Sequence, residues 1–165
     1  MDKTRKRTAW MFWGSFFGRQ KGPCLFWEKS WGSITAQKYC ERIVPLVVPC
    51  IEVNPVLQFM QDNAPPHKAA FTRDRLRAED IEPIIWAAYS PDLNPIEAVW
   101  SKMKDFVEDR YPDLENGRER TTEELRRIIQ EAWDSIDGDF LGNLIHSMPT
   151  RCQAVFDAQG GATKY

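Results

Sequence analysis

Residues 59–71 read FMQDNAPPHKAAF, an apolar run that ends in an aspartate and then turns through an asparagine, two prolines and a histidine. The run belongs to PVLQFMQD, residues 55–62, whose length and composition predict an interior strand. HKAAFTRDRLRAED after it predicts a helix, and IEPIIW, residues 81–86, a further short strand. A strand–helix–strand unit of this kind predicts a right-handed parallel crossover. Sites in such sheets gather at the carboxyl ends of the strands, where Asp62 stands.

The flanking segments extend this pattern. TAWMFWGSFF, residues 8–17, and PCLFWEK, residues 23–29, predict an antiparallel hairpin around the turn GRQKG. SITAQKYCERIVPLV changes to helical spacing, with Thr35 as N-cap and Tyr39, Ile43 and Leu46 on one face; Pro45 and Pro49 are expected to kink or end it. IEAVWSKMKDFVEDR predicts a helix with Val99, Met103, Phe106 and Val107 on one side. YPDLENGRER predicts an exposed linker, and TTEELRRIIQEAWDSI an amphipathic helix opened by a Thr121–Glu124 capping box. FLGNLIHSMPTRCQAVF predicts a last helical pair before a fraying DAQGGATKY. The order of elements describes an α/β layer with a mixed sheet.

Composition narrows the function classes. With 165 residues, 42% hydrophobic and seven tryptophans, the chain is long enough for one domain with a sizeable core. A net charge of −2 gives no global pull toward nucleic acid, so such contact must come from local patches; KTRKR, residues 3–7, is one, or else a solvated tail. The four cysteines contain no CxxC pair, which suggests neither a zinc site nor a disulfide framework. No apolar run reaches the roughly 18 residues of a membrane span, and the expected compartment is nuclear or cytoplasmic.

Two carboxylates carry the chemical reading. Asp62 alone reads equally as an Asx turn or a helix cap. Glu97 reads as the third residue of a capping box, with Asn94 as N-cap and Pro95 at the first helical position. If strand end and helix start converge at one sheet edge, however, the pair suits hard cations such as Mg2+ or Mn2+. The helix N-terminus would add partial positive charge for a phosphate, and His67 would orient a phosphate or nearby backbone or stabilise the turn.

QDNAPPHKA followed by SPDLNPIEAVWSKMK resembles the catalytic core of mariner-family DNA transposases, DDE-type integrase-like domains with a ribonuclease H-like fold. The resemblance implies a mixed sheet flanked by helices. It also implies Asp62 and Glu97 as the second and third acidic ligands, with 34 residues between them, and Asn63, His67 and Asn94 as supporting motif residues. Members place a first catalytic aspartate on a strand before the aromatic hairpin. Here Asp2, in MDKTRKR, is the only acidic residue before Glu28, which leads to the expectation of an N-terminally truncated domain lacking that first strand. Residues 1–8 are then a basic tail, 9–110 the partial catalytic core and 111–160 a helical extension of the same domain. The implied chemistry is cleavage and strand transfer at transposon ends with two divalent ions held by the acidic residues. The implied partners are DNA and either a second copy or a full-length transposase, with no membrane. The alternative is a non-catalytic DNA-binding or transposase-interacting module that retains the fold.

Overall fold

The computed structural model describes residues 10–85, 90–114, 120–161 and 163–164. Its only paired strands among these are β1 (Met11–Phe17) and β2 (Gln20–Trp27), which form an antiparallel hairpin. The turn is tighter than GRQKG suggested. Gly18 and Arg19 alone connect the strands, and Gly18 takes φ 53°, a conformation that glycine adopts without steric cost. A register shift between Gly14 and Phe16 admits Pro23, which has no N–H for a ladder, and Ser15 Oγ donates to the Pro23 carbonyl at 3.0 Å.

The hairpin is apolar on both faces, and each face has its own layer of helices. Phe12, Phe16, Cys24 and Phe26 pack on a core built from α5 (Ile96–Arg110), α6 (Thr122–Asp134) and α7 (Gly138–Asp157). Trp13, Leu25 and Trp27 pack on a second core with α1 (Ala36–Arg42), α2 (Val44–Val53) and α4 (Ala70–Ala78). Alternation of side chains along a strand makes this division possible. At the first interface Phe12 meets the Trp133 ring at 5.5 Å and stands edge-on to Trp100 at 5.9 Å. Gly14 leaves room for these indoles: a Cβ there would approach Trp133 to 3.0 Å.

The helices follow their sequence signals where those are local. Thr35 caps α1 by accepting from Lys38 N–H, and the Thr121–Glu124 capping box opens α6 with both reciprocal bonds made. Val99, Met103 and Val107 are the buried stripe of α5. Lys21 closes the end of α6 by donating to the carbonyls of Trp133 and Asp134. The single helix foreseen around Tyr39 breaks at Ile43, since Pro45 sits where a new helix begins; Pro49 lies within α2 without ending it.

Several expectations need correction. Among the described residues, 55–62 and 81–85 form no ladder: the backbone link between them there is Ile84 N–H to the Phe59 carbonyl at 2.8 Å. Pro83 removes a donor from the middle of the second segment, and a strand exists only through repeated pairing with neighbours. The predicted crossover is therefore two extended segments joined at one point; Trp86 lies outside the described residues, as does KTRKR. HKAAFTRDRLRAED is divided at Ala69 (ψ 140°) into α3 (Pro65–Lys68) and α4. Asp80, at φ 55°, stops α4 as Ile81 N–H returns to the Leu76 carbonyl. The last helical pair is one continuous helix, α7, which passes through Pro149. The linker after α5 begins as a 3-10 turn that buries Leu114 in the first core, and residues 115–119 lie outside the described set.

Trp133→Ala should remove the indole that Phe12, Gly14 and Trp100 pack around, at a cost of about 3–5 kcal/mol. Urea unfolding checks this; a midpoint unchanged from the parent would show that the hairpin does not depend on this contact.

Candidate functional site

Asp62 leaves the non-helical segment that precedes α3 with its side chain 49% exposed. Its Oδ1 accepts the Ala64 backbone N–H at 2.9 Å, an Asx turn, and meets His67 Nδ1 at 2.6 Å. Both bonds fall on the same oxygen, and among the described residues Oδ2 makes none. His67 reaches back because Pro65 and Pro66 start a one-turn helix, α3, immediately after the turn. The imidazole is only 17% exposed and lies against Tyr39, with ring centroids 4.5 Å apart. Tyr39, buried in α1, donates its hydroxyl proton to Gln61 Oε1 at 2.8 Å. Burial, with Cys40 and Asp62 nearby, pushes the phenol well above its ordinary value and keeps it a donor.

Glu97 occupies the first turn of α5 and is exposed. Among the described residues its carboxylate makes no ion pair and no hydrogen bond. The Asn94–Glu97 capping box is absent. Pro95 already has helical angles (φ −66°, ψ −18°) and occupies the cap, while Asn94 is buried as the end of the preceding 3-10 turn, its N–H bonded to the Pro91 carbonyl. Two prolines one turn apart thus set the chain's entry into α5 without a side-chain cap. The bland explanation of Glu97 falls away with the box.

The residues that steady this entry were not legible in the motif. Arg151 of α7, 8% exposed, donates from Nη1 to the Asp92 carbonyl at 2.9 Å and from Nε to Ser147 Oγ at 2.8 Å. Thr163 donates its N–H and hydroxyl to Asp92 Oδ2, and these bonds, the hydroxyl's first, hold that carboxyl below its ordinary range. The available signal was an arginine at i+7 from Leu144, on the buried stripe of an otherwise apolar helix.

The donor set fits a hard cation in kind: oxygen donors from two exposed carboxylates, one of them with an unengaged oxygen. No cluster of three or more His, Cys, Asp or Glu side chains able to hold a metal occurs among the described residues. No described helix is long and apolar enough to cross a membrane.

Residues 3–117 match the family described as DDE superfamily endonuclease. The chain belongs to that family. It is 37% identical over 107 residues to the transposable element Tc1 transposase of Caenorhabditis elegans, covering 65% of this chain and 37% of that one. The fold matches the Mos1 transposase catalytic domain solved with Raltegravir and Mg at a TM-score of 0.77 and 22% identity, over 94% of this chain and 77% of the other. It also matches the Mos1 transposase paired-end complex with left transposon end at 0.78 and 23% identity, over 100% and 47%. The chain spans roughly a third to a half of the length of the curated relatives it matches. The mixed α/β class read from the sequence is therefore the fold observed.

Because the Asp92 carboxyl is depressed by the Thr163 bonds, its contribution is complete above the ordinary carboxylate pKa of about 3.9. It is lost as pH falls through the lower folded value. Amide exchange at Thr163 should accelerate over that acidic window in the parent and be fast at all pH in Asp92→Asn. Equal protection in parent and variant would contradict the tether. Arg151→Met should cost about 1–3 kcal/mol by leaving the Asp92 carbonyl unpaired, read from the melting temperature.

Proposed function

We propose that this domain contributes Asp62 and Glu97 as carboxylate ligands for Mg2+ or Mn2+ in cleavage and strand transfer of transposon DNA. The observation that carries the reading is an exposed Asp62 carboxylate held by two donors on one oxygen, inside the stretch that matches the endonuclease family. Glu97, without a capping partner, supplies the second carboxylate. Divalent ions held by these groups supply activation of water and stabilisation of the leaving oxygen in phosphoryl transfer.

The chain's own contributions are positional. Asp62 is oriented by the Ala64 amide and the imidazole. The N-terminus of α5, a 15-residue helix, brings partial positive charge to a phosphate near Glu97, while the Glu97 and Ala98 N–H groups are bonded to the Asn94 and Pro95 carbonyls. Such substrates place the work of the domain at nuclear DNA, and the Mos1 paired-end complex supports DNA as the partner. Residues 9–110 form the catalytic core in this reading, and 111–160 a helical extension that braces it through Arg151.

Within these 165 residues the family resemblance assigns two acidic ligands, and a clamp on both attacking and leaving oxygens needs a further one. The 165-residue polypeptide tested alone should bind Mn2+ weakly, and Asp62→Ala and Glu97→Ala should each weaken binding at least about tenfold, the scale at which even outer-shell partners act. Mn2+ electron paramagnetic resonance measures this, and unchanged binding in both variants would remove the metal reading. On a transposon-end duplex the same polypeptide should nick no faster than Asp62→Ala. Nicking that disappears in that variant would mean another group of this chain completes the site.

A further inference from the structure

We propose that His67 and the ring of Tyr39 form a positioning pair for Asp62, through which α1 sets the direction of the metal-binding oxygen. The proposal rests on Asp62 being a metal ligand. An ionised carboxylate can only accept, so at 2.6 Å His67 Nδ1 carries the proton and donates it to Oδ1. That bond and the Ala64 amide occupy one oxygen and leave Oδ2 for another partner.

The imidazole cannot hold this direction by itself, because α3 is a single turn. It is seated by Tyr39, whose ring lies 4.5 Å away at 55° and is 1% exposed. Tyr39 in turn is fixed at its hydroxyl by Gln61 and by the Trp13 side chain of β1. Gln61 therefore reaches inward to the core while its neighbour Asp62 faces solvent. The sequence offers Tyr39 only as one apolar position of a helix face, 23 residues before the carboxylate. Partners of this kind set ligand orientation, and their loss lowers metal affinity by about 10–100-fold.

The test compares the full chain with Asp62→Ala, His67→Ala, Tyr39→Leu and Tyr39→Phe by Mn2+ binding, by melting, and by 15N-edited spectra recorded without metal. In the metal-free parent a hydrogen-bonded Nδ1–H resonance of His67 is expected, absent in Asp62→Ala and Tyr39→Leu and retained in Tyr39→Phe, which keeps the ring. His67→Ala should weaken Mn2+ binding about tenfold or more with little change in melting, and Tyr39→Leu should add nothing to that loss when the two are combined. If Tyr39→Leu does not fold, the His67→Ala affinity and the Tyr39→Phe resonance decide. Parent-like Mn2+ affinity in His67→Ala, or an unprotonated Nδ1 in the parent, overturns the positioning pair while leaving Asp62 a ligand. Unchanged affinity in Asp62→Ala overturns the metal reading itself.

Discussion

Phe12, Phe16 and Phe26 point to one side of the hairpin and Trp13, Leu25 and Trp27 to the other, so neither face can be left to water. A two-stranded ribbon is at best marginal alone. Here it becomes the middle layer of a sandwich, covered by α5–α7 on one side and by α1, α2 and α4 on the other. Full burial of such a side chain is worth about 1.5–3 kcal/mol, and the partly buried members of the hairpin contribute less. The two candidate carboxylates derive from opposite layers of this arrangement. Asp62 hangs from the Tyr39 side, and Glu97 opens the helix whose Val99 and Met103 line the other core.

What could be read in advance was what depends on neighbours in sequence. The hairpin announces itself by aromatic residues at alternating positions, α5 by its buried stripe, and α6 by a capping box of residues three apart. Strands at 55–62 and 81–86 were a weaker inference, since apolar composition states only that a segment is buried. Whether it forms a ladder depends on partners elsewhere, and Pro83 withdraws a donor where one was needed. The capping box at Asn94 failed for a similarly local reason, because Pro95 took the cap position that the asparagine was expected to hold.

The candidate site divides in the same way. Asp62, Asn63, His67, Asn94 and Glu97 stand in two short motifs and were visible as residue types in order. The bond between His67 and Asp62 spans five residues and is consistent with that reading. Tyr39, Arg151 and Thr163 act across 22, 59 and 71 residues, respectively, and no local pattern connects them to the groups they hold. They explain how two turns rich in proline keep a defined shape at the surface: one is anchored by a buried phenol, the other by a buried guanidinium.

The central claim, that Asp62 and Glu97 serve one metal region, is most directly tested by paramagnetic broadening of backbone amides on addition of substoichiometric Mn2+. The account predicts that amides around residues 62–67 and those of the first turn of α5 broaden together at the same Mn2+ concentration, while the acidic surface of α6 stays sharp. Broadening confined to one of the two segments, or scattered over exposed carboxylates in proportion to their charge, would contradict it.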